Sequence, residues 1–480
     1  MRFSLLSQGW QLKLVGSAAI VGTLFIGVGE SVSAQIVPDN TLGAEGSVVT
    51  PNVNIRGIPS DQIDGGARRG ANLFHSFAQF NVDAGRGAYF TNPAGILNIL
   101  TRVTGANRSD IWGRLGVNGN ANLFLINPKG IVFGQDASLD VQGSFLATTA
   151  DAVKLGDDGL FSASQPTTSN LLAVSPSALW FNAVAAQPIV NLSQAQSSIG
   201  QPNSEDGPPG LQVRSGRTLA LVGGDVLLEG GNLTAAGGRI ELGSVAGVGQ
   251  VSLTHTGNGF VLGYDAINDF GNISLSNQAF VDASGEGGGD IQILGGRLEM
   301  TQSSNIWADT LGAENGGEVL VRTTEVVLSE SSSLSAYVTS TGTATGGDLR
   351  IETGRLLVRD GAVVGAGTLG EGNGGSLLIT ASDSVEVIGT SADGQSLSGL
   401  SAQSSGSGNA GDLRINTRRL LVRDGAQVSA TIAGQGNSGR LLITASDSVE
   451  LIGNSTPNQR PSSVPVAWVL RVLGVGMQES

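Results

Sequence analysis

The side chains able to do chemistry are few, and their spacing gives them little to do it with. Histidine occurs twice, as His75 and His255, and cysteine does not occur. Zinc sites and Cys-His nucleophiles are therefore nearly excluded. A Ser-His-Asp arrangement would have to recruit one of those two imidazoles. His75 lies in Leu73-Phe74-His75-Ser76-Phe77, an apolar setting in which an imidazole is expected to satisfy a buried backbone group. His255, in Thr254-His255-Thr256-Gly257, reads as an exposed turn. Asp360 and Asp424 occupy one position of a repeated segment, and Asp383 and Asp447 another. Glycosidic or general acid–base chemistry needs a particular carboxyl pair beside the scissile bond. A carboxylate that returns with every repeat is more simply a turn or ladder feature. Asp157-Asp158 and Glu205-Asp206 read as solvated loop charge.

Glycine patterns tempt next. The trios Gly365/Gly367/Gly370, Gly370/Gly372/Gly375, Gly406/Gly408/Gly411 and Gly434/Gly436/Gly439 fit GxGxxG. None opens a helix of a βαβ unit, the context in which that spacing cradles a dinucleotide. Gly-Gly-Asp at 288–290 and 346–348 is similar to the turn of calcium-binding β-rolls. Those rolls need tandem nonapeptides with Asp in every turn, and the units here are three times longer, so only a scattered surface calcium site is left open. No catalytic residue, cofactor site or metal site is expected.

The elements that would carry these residues are short strands. Glycine numbers 73, proline 14, charged residues make 14% of the chain and aromatics 5%, a composition of strands joined by tight turns. Residues 346–362, GGDLRIETGRLLVRDGA, return at 410–426 as AGDLRINTRRLLVRDGA. Residues 374–389, GGSLLITASDSVEVIG, return at 438–453 as SGRLLITASDSVELIG, at the same offset of 64. Small-residue pairs ending at Gly289, Gly317, Gly347, Gly375, Gly411 and Gly439 mark a unit of about 28 residues within it. Each unit holds about three strands, as in Asp348–Thr353, Arg355–Arg359 and Ala362–Gly365, with Leu349 and Ile351 inward and Arg350 and Glu352 outward. A repeat of this length without a helical period predicts a β-solenoid, one coil per unit, each coil burying its neighbour. At a strand spacing of about 4.8 Å, the six marked coils would span roughly 30 Å.

The most pointed stretch is 121–149, ANLFLINPKGIVFGQDASLDVQGSFLATT. Asn127-Pro128-Lys129 must turn a corner between Asn122–Ile126 and Gly130–Phe133, because proline lacks a ladder donor, Asn bonds its own backbone two residues on, and Gly130 relaxes the exit. Upstream, Asn92-Pro93-Ala94-Gly95-Ile96 repeats the motif, followed by Asn98-Ile99 and Arg102-Val103-Thr104-Gly105. With Asn72–Phe77, Phe80-Asn81-Val82 and Phe133-Gly134, these residues resemble the secretion domain of two-partner secretion exoproteins, the filamentous-haemagglutinin type. The resemblance covers about residues 36–160; Ala94 and Lys129 stand where Asn is common in that family.

The resemblance implies an all-β chain: a single-stranded right-handed parallel β-helix with an N-terminal β cap. It also implies a cognate outer-membrane transporter, whose periplasmic polypeptide-binding domains recognise the N-terminal domain while the chain crosses unfolded. Asn92, Pro93, Asn127, Pro128, Gly130 and Ile131 are the candidate recognition or secretion residues; the alternative is that they only shape corners. The repeats would then serve as a secreted haemagglutinin-like adhesin for an unknown surface or cell ligand. A β-helix polysaccharide-active enzyme and a structural surface-layer protein remain the other readings.

Address and boundaries follow. Arg2 and Lys13, an apolar run from Leu14 to Val28, and Val32-Ser33-Ala34 make 1–34 a signal peptide. The formal charge is −14, one unit more negative without that leader, which argues against nucleic acid as a partner. No later segment has the apolar length of a membrane span. Export through the periplasm of a diderm bacterium to the cell surface or medium is expected, and without cysteine nothing locks the chain before it crosses. The divisions expected are 35–160 for the secretion domain, 161–210 for a transition with a long loop over 185–210, 211–453 for the coils and 454–480 for an atypical tail. That tail is expected to be an amphipathic cap or, more sharply, the mark of a truncation or frameshift in a longer repeat protein.

Overall fold

The computed structural model describes residues 35–182, 185–198, 209–453 and 468–472, all within one compact unit, Ala34–Ser480. The expected signal peptide and nearly all of the expected tail lie outside the described residues. So does 199–208 of the expected loop.

The chain winds as a parallel β-helix with three ladders. The first takes Asn72–Phe80, Asn98–Val103, Asn122–Ile126, Phe145–Thr148, Thr218–Gly223, Arg239–Ser244, Asp290–Leu294 and Glu318–Arg322 in parallel register. It continues through the leading halves of Asp348–Arg359, Leu377–Ile388, Leu413–Arg423 and Leu441–Ile452 to Trp468–Val472. The second runs from Ser109–Ile111 through Ile131–Phe133, Ile189–Asn191, Val226–Glu229, Asn272–Ser276, Arg297–Met300 and Glu325–Leu328 into the trailing halves of the same long strands. The third holds Gly87–Thr91, Arg114–Asn118 and Ser138–Asp140, then Leu211–Gln212 and every later coil to Gln427–Ser429. One apolar column fills the axis from Phe77 to Ile443. Among the described residues the only helical turns are Gly43–Glu45 and Pro166–Thr168.

A cap closes the N-terminal end. Ile36–Pro38 pairs antiparallel with Asn72–Phe80, and the hairpin Ser47–Ile55/Ile58–Gly65 adds itself to the third ladder through Gly87–Thr91. This covers backbone groups and apolar side chains that an open coil would expose.

Three features differ from the sequence reading. The stretch read as a long loop contains a rung: Ile189–Asn191 lies between Ile131–Phe133 and Val226–Glu229, with Ile189 and Asn191 fully buried. Asp348–Thr353 and Arg355–Arg359 form one continuous strand, kinked by a register shift about Gly354. And Pro176–Phe181, within the stretch expected as a transition, belongs to a separate antiparallel sheet beside the coils, with Ala152–Leu155, Gly159–Ser162, Gly249–His255 and Phe260–Gly263.

That lateral sheet explains a change in hydrophobic pattern. Its Phe161, Leu179, Phe260 and Leu262 pack on the outward side of the first ladder, against Phe74, Leu100, Phe124, Leu146 and Val222. Early rungs are therefore covered on both faces, and Asn98–Val103 and Thr218–Gly223 are buried at every position. Strands buried on both faces read as continuous apolar runs. By Glu318–Arg322 the outer face meets solvent, and burial alternates residue by residue.

Candidate functional site

The two Asn-Pro motifs sit at different corners, Asn92-Pro93 between the third and first ladders and Asn127-Pro128 between the first and second, and they are built differently. Asn127 is fully buried. Its Oδ1 accepts from the Lys129 amide at 2.9 Å, the expected turn onto its own backbone. Its Nδ2 donates to the Asn107 carbonyl (3.2 Å) and Ser109 Oγ (3.0 Å) in the preceding coil, while its amide donates to the Thr148 carbonyl (2.9 Å) in the next. One residue thus ties three coils, its carboxamide reaching back and its backbone amide forward. Gly130 follows at φ +105°, a conformation that disfavours a side chain, and Ile131 is buried in the axial column. Gly134, two residues beyond that strand's core, is flat against the Trp112 indole, where a Cβ would collide with the ring.

Asn92 is half-buried and spans two coils. Its Nδ2 donates to the Ile96 carbonyl (3.3 Å), and its Oδ1 accepts from the Asn120 and Ala121 amides (3.1 Å each). Pro93, Ala94 and Gly95 stand exposed, while Pro128 is half-buried and Lys129 exposed. The six candidate residues therefore form two separate corners rather than one cluster. A reader of the folded surface meets Pro93 and Lys129, whereas Asn127 and Ile131 are accessible only in the unwound chain.

Between these corners run polar columns that the motif list did not suggest. Asn98 Nδ2 donates to Asn72 Oδ1, and Asn122 Nδ2 donates to Asn98 Oδ1, each at 3.0 Å. The column ends on the Ser144 amide, which donates to Asn122 Oδ1 at 2.8 Å, and on Asn72 Nδ2, which donates to the Val174 carbonyl at 2.7 Å. The signal was present as Asn at the start of successive rungs, but only ladder register brings the three together.

Arg102, quoted above only as part of a family pattern, is the largest completely buried side chain. Its guanidinium donates to Ser76 Oγ (2.8 Å), the Ser162 carbonyl (2.7 Å), Ser169 Oγ (2.6 Å) and Thr41 Oγ1 (2.7 Å), and stacks 4.5 Å from the centre of the Phe161 ring. Burial pushes its pKa down to about 10, partly opposed by the charge of Asp39. The Asp39 carboxyl would be raised by its own burial, but hydrogen bonds from Thr104, Thr41 and Ser76 outweigh that and hold it below the ordinary range. One buried cation so joins the cap, two coils and the lateral sheet.

His75 is buried, and its Nδ1 lies 3.0 Å from Ser47 Oγ, a hydroxyl of the cap rather than the backbone group expected. Burial pushes its pKa down to about 4, against the opposing pull of Asp64. His255 closes a strand of the lateral sheet and its Nε2 donates to the Pro176 carbonyl at 3.0 Å. The Gly-Gly-Asp carboxylates work between coils: Asp290 Oδ1 accepts from the Glu318 amide (2.9 Å) and Asp348 Oδ1 from the Ser376 amide (2.7 Å). The GxGxxG glycines also stack coil on coil, since a Cβ at Gly406, Gly408 or Gly411 would strike the carbonyl of Gly370, Gly372 or Gly375. Among the described residues no group of three or more His, Cys, Asp or Glu is set to hold a metal ion, and no helix is long and apolar enough to cross a membrane.

The architecture is a capped parallel β-solenoid with two Asn-Pro corners and a lateral sheet. The chain belongs to the TPS (two-partner secretion) secretion domain family, whose profile matches residues 34–293. Members of that family are secreted exoproteins exported through the outer membrane. The chain is 34% identical over 101 residues to the heme/hemopexin-binding protein of Haemophilus influenzae, a stretch making 21% of this chain and 10% of that protein. Similar solved structures include the HMW1 secretion domain from Haemophilus influenzae, at 18% identity and TM-score 0.48, covering 85% of this chain and 96% of that one. The filamentous hemagglutinin secretion domain is a second, at 15% identity and TM-score 0.31, covering 87% and 99%.

Proposed function

We propose that this chain is an adhesin-like exoprotein whose N-terminal domain directs it through a cognate outer-membrane transporter. The transporter's periplasmic polypeptide-binding domains take up the unfolded chain, and the coils wind outside. The match of residues 34–293 to the family profile carries this reading. The absence of cysteine and the coil-on-coil build support it, because coils add one after another with mostly nearby partners. Residues 35–160 act as the secretion unit, 161–210 lead out of it, and the coils of 211–453 present a long rigid surface to a ligand on a cell or surface. They bind without turnover and without a cofactor. Asn92, Pro93, Asn127, Pro128, Gly130 and Ile131 take part in secretion. Because Asn127 and Ile131 are buried once wound, the transporter reads them in the extended chain.

Deleting 36–160 tests the reading. Synthesis continues, and the product is absent from the medium in a host carrying the transporter; undiminished secretion overturns it.

A further inference from the structure

The third ladder carries a row of aromatic rings that neither the axial core nor the lateral sheet uses. Its strands from Asn232–Thr234 onward are three residues long, so the middle residue points inward, and Val281, Ile306 and Leu334 are fully buried. The flanking positions face out. Phe280 and Trp307, on adjacent coils, are half-exposed, with ring centres 5.0 Å apart and planes at 85°. Tyr337, one coil further and two residues beyond Ser333–Ser335, is mostly buried and only partly exposed.

Trp307 and Tyr337 each reach along the helix axis toward the next coil. Trp307 Nε1 donates to Ser333 Oγ of the next coil at 2.6 Å, which draws the indole forward over that rung. Tyr337 runs further: its ring crosses Gly365 and Gly367 of the next coil, and its hydroxyl bonds the Ser401 side chain one coil beyond. A Cβ at Gly367 would sit 2.7 Å from the ring, and one at Gly365 closer still. Glycine at both places leaves the flat bed on which the phenol lies. Neither glycine has a positive φ, so backbone conformation does not demand them.

We propose that this strip, centred on Trp307 and Tyr337, binds a neutral extended polysaccharide lying lengthwise on the third ladder. The C–H faces of sugar rings stack on flat aromatic faces, and hydroxyls find the amides and hydroxyls set between them. Asn305, Ser333 and Gln403 supply such groups beside the rings. Coils advance by about 4.8 Å, close to the length of one sugar in an extended glycan, so successive coils meet successive sugars. The formal charge of −14 disfavours an anionic chain. This site gives the adhesin reading a ligand class and rests on it only for access to glycans.

The test uses the full chain, purified, with hexasaccharides of β-glucan and mannan as neutral probes and heparin and alginate as anionic ones. Calorimetry is expected to register binding to at least one neutral probe and none to the anionic pair. Trp307→Ala and Tyr337→Ala should each weaken it by about tenfold or more, as loss of a central aromatic anchor does. Trp307→Leu keeps the apolar volume without the flat face and should lose as much, with the unfolding midpoint held near that of the parent. No neutral binding at millimolar probe, binding untouched in folded Trp307→Leu, or a preference for the anionic probes overturns the proposal. Secretion is scored separately, so either reading can fail without the other.

Discussion

Arg102 reaches Asp39 through two parallel hydroxyls. Ser76 Oγ accepts from Nε at 2.8 Å and donates to Asp39 Oδ2 at 2.8 Å; Thr41 Oγ1 accepts from Nη2 at 2.7 Å and donates to Asp39 Oδ1 at 2.6 Å. Charge is thus balanced across a relay whose four members come from the cap and the first two coils. Thr104 Oγ1 adds a third hydroxyl to the carboxylate, at Oδ2 (2.6 Å), and the Thr41 amide donates to Oδ1 at 2.9 Å.

Breaking this relay at either end strands a buried charge. Arg102→Met should destabilise the folded chain by about 3 kcal/mol and Asp39→Asn by roughly 1–3 kcal/mol. The double variant should cost less than the sum, since the second change removes what the first left uncompensated. Urea unfolding of the four proteins measures the cycle; additive losses would mean the two residues act independently.

The reach of the sequence can be judged on the same residues. The late coils were legible because their marks are local: Gly317, Gly347, Gly375, Gly411 and Gly439 each precede by two residues a rung of one continuous register, Val319, Leu349, Leu377, Leu413 and Leu441. The Asn127 turn was legible for the same reason. Arg102 was visible only as part of a pattern, since its partners Thr41, Ser76, Ser162 and Ser169 are scattered and individually unremarkable. The lateral sheet was hidden because Ala178 pairs with Ser252, a partner that no local period announces. Its trace was indirect: rungs that lose their alternation because a second layer covers them.

The two corners separate secretion from stability. Pro93 is exposed, so Pro93→Ala should change folding stability by no more than about 0.5 kcal/mol. Asn127→Ala leaves the Asn107 carbonyl and the Lys129 amide short of partners and should cost roughly 1–3 kcal/mol. If the motifs are read in the extended chain, both variants lower the amount exported, Pro93→Ala without a matching fall in stability. Export of Pro93→Ala at the parent level would leave that corner a shape-setting role alone.

His75 makes the cap acid-sensitive. Its pKa is near 4 when folded and near 6.5 when unfolded, so between those values the unfolded chain binds the extra proton. Stability is fully present above about pH 6.5 and falls as pH drops toward 4, by up to about 3 kcal/mol from this residue. Glu241, pushed up to about 8 mainly by burial, acts with the opposite sign as pH rises above its unfolded value. The measurement is therefore the difference between the parent and His75→Asn, whose unfolding midpoints should converge as pH falls from 7 to 4. A constant gap would place the acid sensitivity elsewhere.

The doubled repeat predicts which excisions the solenoid tolerates. Asp348 Oδ1 accepts from the Ser376 amide and Asp412 Oδ1 from the Arg440 amide, at 2.7 and 3.0 Å, so a coil bearing Asp caps the coil after it, which carries none at that place. Removing 348–411 joins Gly347 to Asp412 and sets Leu413 on Val319, where Leu349 had been. The Asp290-to-Glu318 and Asp412-to-Arg440 bonds are kept on either side of the junction and the inward column is continuous, while the exposed Arg322–Glu352 pair is lost because Asn416 takes the place of Glu352. Apart from the loss of the Tyr337 bed with Gly365 and Gly367, stability should then change by no more than about 1 kcal/mol, because coils interact mainly with their neighbours. Removing only 348–375 sets Ser376 where Asp348 stood. Both excisions take away Gly365 and Gly367, the bed of the Tyr337 ring, so that loss cancels in the comparison. That shorter excision should cost more than the longer one, and urea unfolding of both decides it: equal losses would mean that chain length, not the pairing of unlike coils, sets the stability of this stretch.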